Sequence, residues 1–295
     1  MRGHIVDAIF SAMGSEPDIF FLSADMGINL IEKFGERYPE RYANVGIAEQ
    51  NLIGISAGLA NLGYRPFAYT ISNFIIHRCY EQIRNDICLH SYPVTLLGTS
   101  TGYDNAPLGP THHSIDEWGA LKAIHGIDIY CPSSTAYAAA LVRFIINSGR
   151  PAYVRIPKGT FSWTNSVEHM VKLPGTCDHV LLVSYGGPVQ LCLQAQHCNP
   201  ALSLLVLNRL RPIDEEQLFT ALEPHQRILV IEDHFGHSGL YGTLCEFVAR
   251  RPIRGGLESL APTNYVFDVG SSPDFFYKKF GMDVCAIIQK AGLPK

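Results

Sequence analysis

The chain has 295 residues, 47% hydrophobic and 17% charged, and a formal net charge of −4. Acidic and basic side chains are interleaved, which excludes the basic footprint of a nucleic-acid binder and a polybasic membrane anchor. No apolar run approaches the ~20 residues needed to span a bilayer. The eight cysteines form no CxxC pair, which argues against zinc and redox motifs and suits reduced core thiols in a cytoplasmic protein.

In chain order, the opening MRGHIVDAIFSAM carries Asp7 in its apolar stretch and lacks a small-residue cleavage site. It reads as a first helix and not as a signal peptide. IFFLSAD (19–25) is a short apolar run closed by a polar turn, hence a buried strand. INLIEKFGERYP predicts a helix stopped by Pro39, and YANVGIAEQN (42–51) a short strand and a turn. LIGISAGLANLG (52–63) predicts a small-residue helix capped by Gly63. Strand RPFAYTI, one long helix NFIIHRCYEQIRNDICLH, strand PVTLLGTS and a polar loop through GPTHHS follow. Helix IDEWGALKAI, strand IDIYCP, helix TAYAAALVRFIINS and strand PAYVRIP close the first part. This alternation predicts a parallel sheet with helices on both faces. The segment around 157–178 breaks the rhythm and reads as a linker. Strands HVLLVSYG, LSLLVLN and RILVIED, alternating with helices, then predict a second, smaller α/β domain.

Neither a Walker loop nor a strand-linked GxGxxG is present, and no GxSxG elbow. Two segments stand out instead. In VGIAEQN, Glu49 lies between a buried strand and an apolar helix. One account is a first-turn glutamate facing the helix dipole, which contributes about 0.3–1 kcal/mol. The other is a carboxylate among Val45, Ile47, Ala48 and Leu52, where desolvation favours the neutral acid and suits it to acid–base work at a ring nitrogen. In GPTHHSIDE, Gly109 and Pro110 shape a loop ahead of His112 and His113. A surface or capping role is the ordinary account of either histidine. Adjacent histidines without a suitably spaced Cys, Asp or Glu do not make a metal site.

The order LSAD, VGIAEQN, SAGLANLGYRPF, ISNF, GPTHHSIDE, CPSS, PAYVRIPKG resembles the pyrimidine-binding domain of transketolases and 1-deoxyxylulose-5-phosphate synthases. YGGPVQLCLQAQ, LNRLRPIDEE and RILVIEDHFGHSGLYG are similar to the C-terminal domain of the same enzymes. The resemblance implies two doubly wound α/β domains: a pyrimidine-binding domain at 1–160, a linker at 161–178 and a transketolase C-terminal domain at 179–295. It implies a transferase that uses thiamine diphosphate to move a two-carbon ketol unit between sugar phosphates or a modified sugar. Glu49 matches the glutamate that bonds N1′ of the cofactor's aminopyrimidine, and Phe74 the aromatic stacked on that ring, with Ile71 beside it. Asp25 matches an aspartate near the cofactor pocket. His112 matches the histidine that meets the donor's oxygens. Arg155 and Arg2 match arginines that hold a sugar phosphate, a task suited to bidentate guanidinium bonding.

Departures from the family's pattern shape these expectations. The GDG and distant Asn that hold the cofactor's diphosphate and its Mg²⁺ or Ca²⁺ are absent. They belong to the N-terminal half of full-length members, which implies a partner subunit carrying GDG…N and an α2β2 assembly. Leu108 stands where transketolases have aspartate, Ser100 where they have histidine, and His77 where relatives have tyrosine or arginine. These changes bear on the substrate and cofactor pockets. The alternatives are a decarboxylating enzyme (a 1-deoxyxylulose-5-phosphate-synthase-like subunit or a 2-oxo acid dehydrogenase β chain) and a non-catalytic binding subunit.

Overall fold

The computed structural model describes residues 1–292. The chain divides into two compact units, Met1–Thr101 with Ala120–Val167, and Gly102–Gly119 with the residues from Glu168 on.

In the first unit, strands β1 (Ile19–Ser23), β2 (Tyr42–Asn44), β3 (Arg65–Ile71), β4 (Thr95–Thr99), β5 (Asp128–Tyr130) and β6 (Ala152–Ile156) run parallel in the order β5-β6-β4-β3-β1-β2. Strands β4 and β6 are buried at every position, the pattern of a parallel sheet covered on both faces. The covering helices are α1 (Arg2–Ala12), α2 (Glu32–Arg37), α3 (Glu49–Asn61), α4 (Ser72–His77), α5 (Tyr80–Gln82), α6 (Glu117–Leu121, where the chain returns to this unit) and α7 (Thr135–Ser148). Helix α7 begins on Ser134, whose side chain accepts from the Tyr137 N–H at 3.2 Å, and ends on Gly149 at φ 60°. It packs on α1, with Ile5 and Ile9 in one core with Leu141 and Ile145. The Phe21 and Phe34 rings stack at 4.1 Å in that core. Each such buried side chain contributes about 1.5–3 kcal/mol.

The expected long helix over NFIIHRCYEQIRNDICLH is broken. Helix α4 ends at His77, Cys79 leaves the helical region at φ −114° and ψ 16°, and residues Ile83–Cys88 form a π-helical turn. The break has a partner outside the helix, because the Arg78 carbonyl accepts from Gln50 Nε2 at 3.0 Å.

The second unit holds β7 (Met170–Leu173), β8 (Val180–Ser184), β9 (Ser203–Leu207), β10 (Arg209–Arg211), β11 (Arg227–Ile231) and β12 (Gly256–Leu260). Its sheet runs β12-β11-β8-β9-β7, parallel except for β7 against β9. The segment expected as linker therefore contributes a strand. Helices α8 (Val189–Cys198), α9 (Glu215–Leu222), α10 (Leu240–Arg250), α11 (Pro273–Lys279) and α12 (Val284–Ala291) complete it. Asp214 caps α9 through the Gln217 N–H and Asp283 caps α12 through the Ala286 N–H, each at 2.9 Å. The loop Gly102–Gly119 joins this unit through an aromatic stack, Tyr103 lying 4.4 Å from Phe276 and His113 edge-on to the same ring at 4.6 Å. No described helix is long and apolar enough to cross a membrane.

Candidate active site

In an open parallel sheet, ligands bind outside the carboxyl ends of the strands, where the winding reverses. Here β1 leads outward to β2, and the chain then returns to β3 on the other side of β1. The loops at that switch point carry four of the residues singled out from the sequence: Asp25 after β1, Glu49 after β2, and Ile71 and Phe74 at the end of β3 and the start of α4. Ser100 follows β4 next door.

Asp25 is exposed and sits at φ 50°, a left-handed conformation disfavoured for non-glycine residues. Asn44 holds it there: Asn44 Oδ1 accepts from the Asp25 N–H at 2.9 Å and from the Gly46 N–H at 3.0 Å. Ser100 also adopts a left-handed φ of 64° while being buried. Non-glycine residues held this way cluster at functional sites. The Thr70 hydroxyl, at the end of β3, is buried without a hydrogen-bond partner.

Glu49 is the first residue of α3 and its side chain is 2% exposed. Its surroundings are less apolar than the sequence suggests. Ile47 is 78% exposed, whereas Leu52 is buried. The countercharge comes from Arg78, whose Nη1 donates to Glu49 Oε2 at 2.5 Å. The same guanidinium lies 4.8 Å from the centre of the Phe74 ring. Oε1 of Glu49 has no hydrogen-bond partner among the described residues. Burial, and then the Glu49 charge, push the neighbouring Cys79 thiol up to about 12, so it stays protonated and unreactive.

The remaining candidates fall elsewhere. His77 ends α4 on the exposed side. Arg2 opens α1, and its charge opposes the upward push of burial on Tyr69. The fraying usual at a chain's start is absent here: Met1 is buried and its ammonium donates to the Gly159 carbonyl at 2.6 Å. Arg155, one residue before the carboxyl end of β6, is wholly buried. In the second unit the two histidines separate. His112 is half-buried in a 3-10 turn, its Nδ1 2.9 Å from Thr111 Oγ1. His113 belongs to the aromatic core, where burial keeps its pKa below the ordinary value. Leu108 is 56% exposed. Sequence reasoning missed Arg78. The available signal was its spacing of four from Phe74, which places two side chains on one helical face.

A doubly wound sheet that presents a buried carboxylate and an aromatic ring at its switch point is built as a cofactor-binding α/β domain. Residues 1–162 match the transketolase pyrimidine-binding domain and residues 171–287 the transketolase C-terminal domain. The chain belongs to the transketolase family. It is 28% identical to a subunit of the apulose-4-phosphate transketolase of Actinobacillus succinogenes, over 97% of this chain and 96% of that one. It is 28% identical to the 1-deoxy-D-xylulose-5-phosphate synthase of Syntrophus aciditrophicus, over 76% of this chain but 36% of that enzyme. Among solved structures it superposes on a split-gene transketolase, an inactive β4 tetramer, with a TM-score of 0.86 and 25% identity, covering 99% of this chain and 96% of that one.

The family goes with thiamine diphosphate and a divalent metal. The residues here fit the pyrimidine end of that cofactor, because one oxygen of the Glu49 carboxylate has no donor among the described residues and an aromatic ring lies in the same loop cluster. Among the described residues, no group of three or more His, Cys, Asp or Glu side chains is placed to hold a metal ion.

Proposed function

We propose that this chain is the pyrimidine-binding subunit of a two-subunit transketolase. It transfers a two-carbon ketol unit between sugar phosphates or a modified sugar, and it is active only with an N-terminal subunit carrying GDG…N, as a cytoplasmic α2β2 assembly. Thiamine diphosphate, when bound, supplies the nucleophilic carbon that breaks and forms the carbon–carbon bond. Glu49 Oε1 would share a hydrogen bond with the pyrimidine N1′ and hold a proton there. Phe74, with Ile71 at its side, is the platform for the ring. Asp25 and His77 border the same pocket. In the first unit Arg155, Arg2 and Ser100 serve the substrate, and in the second His112 serves the donor's oxygens. The partner holds the diphosphate and its Mg²⁺ or Ca²⁺, since Mg²⁺ sites are built from carboxylates and phosphate oxygens and this chain lacks the motif that supplies them.

The observation that carries this reading is Glu49: a carboxylate at the switch point, 2% exposed, with one oxygen unpaired. Dependence on a partner draws support from the relative solved as an inactive β4 tetramer. The test is reconstitution. The chain alone is expected to bind thiamine diphosphate poorly and to show no ketol transfer. Adding the GDG-bearing subunit is expected to restore both, with apulose 4-phosphate and xylulose 5-phosphate as the first donors tried. Robust turnover by the isolated chain would overturn the proposal. Pyruvate-dependent CO₂ release by the complex would move it to the decarboxylating branch.

A further inference from the structure

The break after α4 leaves Arg78 at a junction of three contacts. Its Nη1 donates to Glu49 Oε2 at 2.5 Å, its guanidinium lies 4.8 Å from the Phe74 ring centre, and its carbonyl accepts from Gln50 Nε2 at 3.0 Å. Gln50 follows Glu49 directly in α3, so this helix grips Arg78 by both side chain and backbone. A helix running unbroken through Cys79 would give the Arg78 carbonyl to a later N–H, and the grip by Gln50 would be lost.

The charge arrangement is specific. A carboxylate only 2% exposed needs a countercharge, and among the described residues Arg78 is the one cation paired with Glu49. Arg78 takes Oε2 alone and leaves Oε1 open, although a guanidinium commonly grips both oxygens of a carboxylate. Its side chain remains 46% exposed, so the contact sits at the rim of the buried pocket.

We propose that Arg78 is the positioning residue of the cofactor-activating carboxylate. It fixes Oε2 and so aims Oε1 at the pyrimidine nitrogen, it balances the charge of Glu49, and through Phe74 it ties that carboxylate to the ring platform. This rests on the reading of Glu49 given above. Arg78 acts through Glu49 and touches no reacting atom.

The test uses the complex of this chain with its diphosphate-binding partner. The variants are Arg78→Met, Arg78→Lys, Glu49→Gln and the double Arg78→Met/Glu49→Gln. Thiamine diphosphate affinity is measured by calorimetry in Mg²⁺, and the bound pyrimidine is followed by its ultraviolet circular-dichroism band. Removing the residue that orients a ligating group typically costs 10–100-fold at metal sites, and Arg78→Met is expected to weaken binding by about that factor. Arg78→Lys, which keeps the charge without the planar fork, is expected to recover part of the loss. In the Glu49→Gln background, Arg78→Met should add little, because the two side chains act as one unit. A role in folding alone would add fully in the double variant and leave the dichroism of the remaining bound cofactor unchanged, and that outcome overturns the proposal. Unchanged or tighter binding by Arg78→Met, with Glu49→Gln impaired, also overturns it while sparing the role of Glu49. An unimpaired Glu49→Gln complex removes that role and this proposal together.

Discussion

Glu49 and Glu232 are both buried carboxylates that follow short parallel strands, and they are satisfied in opposite ways. Glu232, just after β11, is fully buried. Its Oε2 accepts from Tyr185 Oη at 2.9 Å and from the Leu240 N–H at 2.8 Å, and its Oε1 accepts from the Tyr241 N–H at 2.9 Å. Tyr185 Oη in turn accepts from Trp118 Nε1 at 2.9 Å. Both oxygens are engaged, and the start of α10 gains two partners for otherwise orphaned N–H groups. Gly239 is required for that approach, since a Cβ there would lie 2.2 Å from Glu232 Oε2. Glu49 has one partner, half in solvent, and an oxygen with none. Burial alone therefore does not mark a functional acid. A closed network is architecture, and an unpaired oxygen at a switch point calls for a ligand.

The largest expected effect tests the open carboxylate. Glu49→Gln keeps the shape and removes the proton partner, and general acid–base contributions run about 10²–10⁴-fold. A loss of kcat at or above that range is expected in the reconstituted enzyme, with far-ultraviolet circular dichroism unchanged. A near-normal rate would return Glu49 to a helix-dipole role. Glu232→Ala tests the closed carboxylate and should show the reverse. Three donors lose a charged acceptor, each such bond contributing about 1.5–3 kcal/mol, so urea unfolding should report a loss of at least about 3 kcal/mol. The folded fraction should keep its kcat. A catalytic defect in a stable Glu232→Ala enzyme would erase the contrast.

Leu108→Asp has a smaller expected effect. A donor-sugar hydroxyl that finds leucine in place of an acceptor loses about 1–3 kcal/mol, equivalent to roughly 5- to 150-fold in kcat/KM. Xylulose 5-phosphate and fructose 6-phosphate are expected to be poor donors for the wild type and improved by the substitution. Transketolase-like efficiency with these donors in the wild type, unchanged by Leu108→Asp, would show that Leu108 does not set donor choice.

Part of the fold and of the candidate site was legible in the sequence, and the rest was hidden for identifiable reasons. Strands β1, β3, β4 and β6 announce themselves as apolar runs because both faces of a parallel sheet are buried. Glu49 is legible from its motif, and its place at the switch point follows from the strand order. Arg78 is not, because a smooth helical period through NFIIHRCYEQIRNDICLH hides a break that depends on a side chain 28 residues away in sequence. The loop Gly102–Gly119 reads as part of the first domain by position. It folds with the second because Tyr103 stacks on Phe276 and His113 meets the same ring edge-on, contacts that no local pattern encodes. Strand β7 is short and pairs antiparallel, so it reads as linker. The burial of Arg155 runs against the expectation for an arginine and is visible only in the folded sheet.

The smallest effect is a pH dependence of stability. The second unit contains two histidines, His113 and His225, that burial holds below their ordinary pKa. At His225, which is fully buried, Lys172 adds to that push and Asp178, 3.6 Å from Nε2, opposes it. A histidine with a depressed folded-state pKa binds its proton more readily when unfolded. Stability is then fully present above the unfolded value of about 6.5 and is lost as pH falls from there toward the folded value. The lowered carboxylates of Asp18 and Glu258 are lost in a lower window, below about pH 4, so the two classes do not overlap. Urea unfolding of the wild-type chain should therefore show lower stability at pH 5.5 than at pH 7.5. The loss should be no more than about 1.4 kcal/mol per histidine per pH unit. His225→Asn should remove part of that slope and leave the rest to His113. A slope unchanged by His225→Asn would mean that His225 takes up its proton equally in the folded and unfolded chains, and that the stability of the second unit does not depend on keeping it neutral.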